Sequence, residues 1–263
     1  MSADTRTAHN ARVWNYWQGG EFHYEVDRQV GEHVAGMIHV IRDIARADRE
    51  FLGRAVRCLA EEHGIRQFLD IGSGLPALDN THEIAQRVAP ESRVVYVDND
   101  PLVLTHALPT STPKGAADYV DADVHDPDAI LRAAARTLDL TEPTALMLLG
   151  ILNFVLDGDE ARAVTHRLLT ALAPGSFLVL THPTTERDLG GALQLEAMAF
   201  WNANAKPPVT ARGADEIARY VDGLTLLEPG LVSCSLWRPG PGEEPMVVPQ
   251  LGAVARKPPS AGE

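Results

Sequence analysis

The chain is poor in cysteine and in aromatic residues, and each shortage excludes a class of protein. Its 263 residues include two cysteines, Cys58 and Cys234, which lie far apart and outside any Cys-x-x-Cys or His-rich context. The sequence therefore predicts neither a disulfide framework nor a zinc cage, and no metal is expected. Aromatic residues make up only 6% of the chain, but hydrophobic residues make up 45%, so a substantial core can still form.

Basic residues and long apolar runs are also scarce. Lys plus Arg number 23 against 36 for Asp plus Glu, which gives a formal net charge of −13. Because nucleic acids and anionic membranes are bound through basic patches, we expect neither as a partner. No apolar run reaches the roughly eighteen residues of a membrane span, and residues 1–10 lack the apolar stretch of a secretory signal. We expect a cytoplasmic protein.

Short β-type runs alternate with helical patterns along the chain. The predicted strands cover 66–71, 93–98, 117–121, 145–149 and 176–180, with further β-like stretches at 224–236 and 247–254. The predicted helices cover 51–63, 80–88, 126–138, 157–173, 189–201 and 214–221. Two of these helices have typical starts, since Asp126 precedes a proline at the first helical position and Asn80 is followed three residues later by Glu83. The alternation predicts an α/β fold with a parallel sheet covered on both faces.

A glycine-bearing loop, Gly72-Ser73-Gly74, follows the first of the predicted strands of this sheet. Ligands of open α/β sheets bind at the carboxyl ends of the strands, and glycines let a ligand approach the backbone closely. An isolated Gly-x-Gly can also be a plain turn. The dinucleotide fingerprint needs a third glycine and a helix that begins at the phosphate, but here the third position is Ala77 and the helix starts near Asn80. The loop therefore favours a ligand without phosphate.

Two acidic residues follow the next two strands. Asp98 ends the second strand, where a carboxylate can accept hydrogen bonds from both hydroxyls of a ribose, and Asp123 follows the third, where it suits the exocyclic amine of an adenine. Either residue alone could be a turn or solvated loop acid. Together with the glycine loop they indicate a nucleoside site.

With these features the chain resembles the class I S-adenosylmethionine-dependent methyltransferases, whose first motif is an acidic residue followed by Gly-x-Gly. Over nearly its whole length it resembles one bacterial family of that class, labelled S-adenosyl methyltransferase. The segments that carry the resemblance are 11–20 with 27–28, 51–57, 67–76, 94–101, 119–123, 174–176, and 227–232 with 237–239.

The resemblance implies a Rossmann-like, seven-stranded, mostly parallel sheet with an antiparallel last strand and helices on both faces. It further implies a helical cap over the cofactor site at 1–50 and a methyltransferase domain at 51–263, in which we predict a lid insertion near 186–212. Residues 11–28 could instead form a helix packed on the sheet. The implied cofactor is S-adenosylmethionine. The predicted cofactor-binding residues are Arg12, Tyr16, Gly20, Gly72, Ser73, Gly74, Asp98, Asn99, Asp123, Val124 and Gly150.

Two loops that should border the site depart from the family pattern. The family usually has Lys-Asp-Asn and an aromatic residue where this chain has Glu21-Phe22-His23-Tyr24, and often Leu-His where it has Leu152-Asn153. Methyl transfer depends mainly on alignment, so a base is needed only if the acceptor must lose a proton. The candidates are His182 and then His23 as a base, with Asn153 as an orienting amide. His182 could equally be a structural histidine.

Apolar residues of the predicted lid suggest the kind of acceptor. Leu193, Met198, Phe200 and Trp201 can wall a pocket, although they could also pack into the core. We expect methyl transfer to a small, mainly apolar molecule, such as one of secondary metabolism. Two alternatives stay open: a fold that binds the cofactor without transferring its methyl group, and an NAD-dependent dehydrogenase, against which the missing third glycine counts. The oligomeric state also stays open.

Overall fold

The structure, a computed structural model, describes residues 4–76, 79–107 and 117–259, so that Ala77 lies outside the described residues. The strands are β1 (Ala8–His9), β2 (Gln67–Ile71), β3 (Arg93–Asp98), β4 (Ala117–Asp121), β5 (Ala145–Leu149), β6 (Phe177–Pro183), β7 (Ala205–Lys206), β8 (Thr225–Leu226), β9 (Val232–Ser233) and β10 (Gln250–Arg256). The α-helices are α1 (Asn10–Trp17), α2 (Glu25–Met37), α3 (Ile41–Glu61), α4 (Thr81–Val88), α5 (Pro101–Ala107), α6 (Pro127–Ala134), α7 (Gly158–Ala171), α8 (Gly191–Asn204) and α9 (Ala214–Ala218).

The central sheet has the predicted architecture. Its strand order is β4-β3-β2-β5-β6-β10-β8, and the short β9 pairs with β10. The pairs from β4 to β6 are parallel, whereas β10 runs antiparallel to β6. The mostly parallel sheet with an antiparallel last strand is thereby confirmed, and β9 is an addition to the seven strands expected.

Two apolar cores lie on the two faces of the sheet, because successive strand residues point to opposite sides. Phe68 and Met147 belong to the core that α3 covers, and Leu69 and Leu146 belong to the core on the other face. That second core also includes apolar residues of α6 and α7. The strands are buried on both faces and therefore read as continuous apolar runs.

Two helix starts and one helix end agree with the prediction from the sequence. Asp126 accepts a hydrogen bond from the Ala129 N–H at the start of α6, and Asn80 and Glu83 form a capping box at the start of α4. Gly64 has φ +66°, the left-handed conformation expected after a helix end.

Other element boundaries differ from the prediction. Helix α3 begins at Ile41, so the predicted domain boundary between residues 50 and 51 falls inside one continuous helix. The predicted β-like stretch at 224–236 is instead two short strands and the 3-10 helix Cys234–Leu236, because Pro229 and Gly230 interrupt it.

The N-terminal helices and the predicted lid lie together over one end of the sheet. Helix α1 contacts α2 and α3, and α2 contacts α8. Strand β1 pairs in parallel with β7, which joins the start of the chain to the end of α8. Within the described ranges, no helix is both long and apolar enough to span a bilayer.

Candidate active site

A cavity of about 670 Å³ lies at the carboxyl ends of the parallel strands, a size typical of small-molecule sites. Its floor is formed by the loops after β2, β3, β4 and β5, and its walls by α1, α3 and α8. The predicted cofactor-binding residues that line it are Gly72, Ser73, Gly74, Asp98, Asn99, Asp123, Val124 and Gly150.

The glycine loop exposes its backbone to this cavity. Gly72 and Gly74 have φ of +77° and +67°, which side-chain-bearing residues rarely adopt. A Cβ on Gly72 would lie 2.5 Å from the Cδ1 atom of Ile151, so there is no room for a side chain. The Ser73 Oγ is buried and has no hydrogen-bond partner among the described residues, which makes it available to a ligand.

Asp98 is held beside this loop by two backbone donors. Its Oδ2 accepts a hydrogen bond from the Gly74 N–H at 2.9 Å, and its Oδ1 accepts one from the Asp100 N–H at 2.9 Å. Burial raises the pKa of Asp98 from its ordinary value, although these two bonds work in the opposite direction. A carboxylate has about four lone-pair sites, so two remain for the hydroxyls of a ribose.

The loops after β3 and β4 are linked to each other at the next part of the cavity. The Asn99 amide donates to Asp123 Oδ2 at 2.9 Å, and the His125 N–H donates to Asp123 Oδ1 at 2.9 Å. Burial on its own raises the pKa of Asp123, but the hydrogen bonds from His125 bring it below the ordinary value, so the carboxylate is ionised at neutral pH. With the buried Val124, this pair can frame a flat base that carries an amine.

Arg12 and Tyr16 do not line the cavity, so the predicted contacts of these two side chains with a cofactor are wrong. Arg12 is buried and donates from Nε to Asp27 Oδ2 at 2.8 Å, and the Tyr16 hydroxyl donates to Glu32. The reason is the helical period of α1, which turns these residues towards α2. The opposite face of α1, with Asn10 and Trp14, lines the cavity instead.

Gly20 and His23 also lie outside the cavity lining. A Cβ on Gly20 would lie 2.3 Å from the Asn15 side-chain amide, so this glycine allows the chain to turn across Asn15 and does not face a ligand. The His23 ring packs against Tyr16, with 4.9 Å between the ring centroids. The prediction of His23 as a base is therefore not supported by its position.

His182 is fully buried on β6 and does not line the cavity. Its Nε2 lies 2.8 Å from Nη1 of Arg212, which can only donate, so Nε2 is the acceptor and Nδ1–H donates to the Pro183 carbonyl oxygen at 2.8 Å. Burial lowers the pKa of His182 to about 3, and the charge of Arg212 acts in the same direction. Both ring nitrogens are occupied, so the prediction of a general base is wrong and the structural alternative holds.

Arg212 is the centre of this buried network. Besides His182, its guanidinium donates to the carbonyl oxygens of Leu152 at 3.0 Å and Val155 at 2.6 Å, and it pairs with Glu216 at 2.8 Å. These bonds fix the loop after β5. That loop carries the buried Asn153, which lines the cavity as predicted and whose Oδ1 has no hydrogen-bond partner in the described part of the chain.

The predicted lid contributes two of its four proposed wall residues. Met198 and Trp201 line the cavity, but Leu193 is 52% exposed and Phe200 stacks on His33 with 3.9 Å between ring centroids. The buried face of α8 instead includes Gln194, Ala197 and Trp201, at the spacing of one helical face.

Other polar residues at the cavity were not predicted. Asp70 accepts a hydrogen bond from the Thr81 hydroxyl at 2.6 Å, and burial raises its pKa to about 6. Asp48 is buried on α3, and Gln250 is buried on β10. Asp48 could have been found from the sequence, because it lies in the apolar stripe of α3, where a carboxylate is rarely buried without a partner. Gln250 follows an irregular loop and carries no such signal.

Taken together, the polar part of the cavity is suited to a nucleoside that carries an amino acid. Asp98 can accept from a ribose and Asp123 from a base amine, while the Ser73 hydroxyl and the glycine backbone face the space between. Arg49 also lines the cavity and can attract a carboxylate. The site is poorly suited to a phosphate, because α4 begins at Thr81, well beyond the glycine loop, so that its N-terminus does not follow that loop directly.

Comparison with known proteins agrees with this chemistry. The S-adenosyl methyltransferase family matches residues 1–258. A DUF574 family protein from Streptomyces avermitilis, whose crystal structure is known, is 43% identical over 97% of this chain and 99% of that chain, with a TM-score of 0.90. A proposed methyltransferase from Thermobifida fusca is 37% identical over 97% of both chains, also with a TM-score of 0.90. No curated protein shows significant similarity to the chain.

A more distant structure shares the fold alone. An O-methyltransferase family protein from Burkholderia thailandensis is 16% identical over 86% of this chain and 63% of that chain, with a TM-score of 0.53. The family match, in contrast, extends over almost the whole sequence and confirms the resemblance seen in the motifs. The chain belongs to the S-adenosyl methyltransferase family and is a methyltransferase whose cofactor is S-adenosylmethionine.

Proposed function

We propose that the enzyme methylates a small, mainly apolar molecule. The observation that carries this proposal is the two-part lining of the cavity. One part, the cofactor half, consists of the loops with Gly72, Asp98 and Asp123. The other part, the acceptor half, is walled by apolar side chains that share one core cluster: Trp17, Ile38, Ile41, Ala197, Trp201 and Val209.

The residues of the cofactor half fit S-adenosylmethionine. In this proposal Asp98 holds the ribose, Asp123 the adenine amine and Ser73 the backbone of the methionine part. Arg49 binds the carboxylate of the methionine part, since it is the arginine that lines the cavity within the described ranges. Its Nη2 donates to the Asp79 carbonyl oxygen at 2.9 Å and to Asn80 Oδ1 at 3.1 Å, which holds the guanidinium at the start of α4.

The cofactor, when bound, supplies an electrophilic methyl group on a sulfonium. The task of the chain is then to align an acceptor with that group and to exclude water. Alignment of two reactants can contribute roughly 7 to 11 kcal/mol to the lowering of a barrier. No histidine among the described residues faces the acceptor half, because His182 is occupied by Arg212 and His9 and His125 lie beside Asp100 and Asp123.

The enclosure of the acceptor half favours a small acceptor over a macromolecule. Helix α1 and helix α8 cover it from two sides, and the pairing of β1 with β7 joins the two covers. A nucleic acid is further disfavoured by the net charge of −13.

Radioactive methyl transfer tests the proposal. The purified enzyme is incubated with S-adenosylmethionine labelled in its methyl group and with a cell extract that has been separated by dialysis into small molecules and macromolecules. We expect label in the extractable, apolar small-molecule fraction, and about tenfold to a hundredfold less label with the Asp98→Ala variant when the labelled cofactor is kept below its Kd. Label confined to protein or nucleic acid would contradict the proposal.

A further inference from the structure

Four buried polar residues interrupt the apolar wall of the acceptor half. Asp48, Asn153, Gln194 and Gln250 all line the cavity, and each is less than one tenth exposed. We call this group the amide–carboxylate patch. Buried polar groups in an apolar wall are costly unless they are hydrogen-bonded, so their partners have to be identified.

The patch is held together by hydrogen bonds that fix which atoms face the cavity. The Gln250 Nε2 donates to Asp48 Oδ1 at 3.3 Å, and the Gln194 Nε2 donates to the Pro249 carbonyl oxygen at 2.6 Å. Asn153 Oδ1 and Gln250 Nε2 each lie 3.9 Å from the position that a Cβ on Gly150 would take, so the patch surrounds the Gly150 backbone.

The patch offers buried acceptor oxygens to a ligand. Gln194 Oε1 and Asn153 Oδ1 are buried with no hydrogen-bond partner among the residues that the structure describes. Asp48 adds a carboxylate, which in its ionised form has acceptors and no donor. A ligand group that satisfies three such oxygens must therefore carry several N–H or O–H donors on one atom.

The patch lies at the boundary between the two halves of the cavity. Asn153 Oδ1 and Gln250 Nε2 border Gly150, which follows β5, and β5 pairs directly with β2, the strand that carries the glycine loop. A ligand group held by the patch therefore lies next to the cofactor half. The ribose and adenine roles belong to Asp98 and Asp123, which leaves Asp48 for the acceptor.

The charges around the cavity favour a cation over an anion. The acidic residues that line it are Asp48, Asp70, Asp98, Asp123, Asp157 and Glu160. Arg49 is the single Lys or Arg in the lining as far as the chain is described. An anionic acceptor would be repelled, whereas a protonated amine would be attracted.

We propose that the methyl acceptor is an amine, and that the amino group of an otherwise apolar small molecule binds at the amide–carboxylate patch. This inference rests on the proposed function. An ammonium group has three N–H donors for the oxygens of Asp48, Asn153 and Gln194, whereas an alcohol has one and leaves two of them unpaired. Because an ammonium nitrogen has no lone pair, it must give one proton to the Asp48 carboxylate before it can accept a methyl group. Burial raises the pKa of Asp48, which agrees with a carboxyl group that needs a cation to compensate its lost hydration. Asp48 acts here as a specificity-determining residue.

Three matched compounds test the inference on the natural chain. They are 2-phenylethylamine, 2-phenylethanol and 3-phenylpropanoate, which share an aromatic ring and differ in the donor count and charge of the end group. Their affinity for the enzyme loaded with S-adenosylhomocysteine is measured by ligand-observed NMR. We expect the amine to bind at least about tenfold more tightly than the alcohol, which corresponds to about 1.4 kcal/mol, and the acid to bind most weakly. Equal affinities, or no binding of the amine, would overturn the inference.

Two variants identify the patch as the source of the preference. In Asp48→Asn the advantage of the amine over the alcohol should fall to within about threefold. The matched control is Asp159→Asn, which changes an exposed acid in the first turn of α7 that does not line the cavity. It should retain the full preference. A preference that survives in Asp48→Asn would overturn the inference.

A second readout separates this inference from the proposed function. Affinity for S-adenosylhomocysteine, measured by calorimetry on the same samples, should stay within about twofold in Asp48→Asn, since none of the cofactor contacts proposed above comes from Asp48. A large loss would place Asp48 in the cofactor site and overturn its assignment. Failure of the labelling experiment would instead contradict the proposed function itself.

Discussion

The buried contact between His182 and Arg212 predicts a pH-dependent contribution to stability. In the folded chain the ring must stay neutral, because a proton on Nε2 would oppose the N–H of Arg212. The pKa of His182 is accordingly about 3, against about 6.5 for an unfolded histidine. Below pH 6.5 the unfolded state therefore binds a proton that the folded state does not, so this contribution is full above pH 6.5 and is lost as the pH falls towards 3.

The variant His182→Gln isolates this effect. Glutamine can both donate and accept hydrogen bonds but does not titrate. Because its amide cannot place both groups as the imidazole does, the free energy of unfolding should fall by about 1 to 3 kcal/mol at pH 7. Because each pH unit of such a difference corresponds to about 1.4 kcal/mol, the deficit of the variant should shrink by about 2 kcal/mol between pH 6.5 and pH 5. The buried Asp70 titrates in the same range with the opposite sign, but it is present in both proteins and cancels.

Urea denaturation of both proteins at several pH values between 5 and 7.5 measures the two free energies of unfolding. His39→Gln, which removes an exposed imidazole, controls for the substitution itself. A difference between His182→Gln and the natural chain that stays constant over this range would refute the assignment of His182 as a neutral structural residue.

Other predictions concern the glycine loop, its acid and the buried arginine. Asp98→Ala should weaken S-adenosylhomocysteine binding about tenfold to a hundredfold in calorimetry, for about 1.5 to 3 kcal/mol of charge-assisted hydrogen bonds, whereas Asp121→Ala, at the exposed end of β4, should not. Gly72→Ala should weaken the same binding because its Cβ meets Ile151, while Gly64→Ala, which has a positive φ in open space, should lower stability by about 1 kcal/mol and leave binding unchanged. Arg212→Met should lower the free energy of unfolding by about 3 to 5 kcal/mol in urea, since it leaves buried carbonyl groups and His182 without their donor. Wild-type behaviour of Asp98→Ala, Gly72→Ala or Arg212→Met would contradict the corresponding contact.

The central sheet and the cofactor half were predictable because they depend on local patterns. Buried strands are continuous apolar runs, and the loops at their carboxyl ends meet at one edge of the sheet. Gly72, Asp98 and Asp123 could therefore be brought together from sequence order alone. Their lining of the cavity agrees with that expectation.

The roles of residues on α1 and β6 were harder to predict, because they depend on how separate elements pack. Arg12 and Tyr16 belong to a helix that lines the cavity, but only the angle of α1 against α2 decides which face points inward. His182 ends a strand at the correct edge, yet its environment is set by Arg212, thirty residues further along the chain. No pattern within a single element contains that information.

The pairing of β1 with β7 has a thermodynamic consequence. Ala8 and His9 are in register with Ala205 and Lys206, so the two covers of the cavity share backbone hydrogen bonds. The cover formed by β1 and α1 lines the cofactor half with His9, and the cover formed by α8 lines the acceptor half with Trp201. We expect a ligand that orders one cover to reduce the ordering that the second ligand has to impose on the other, and the two ligands therefore to bind cooperatively. Such cooperativity is reciprocal: the factor by which the cofactor strengthens binding of the acceptor is the factor by which the acceptor retains the cofactor.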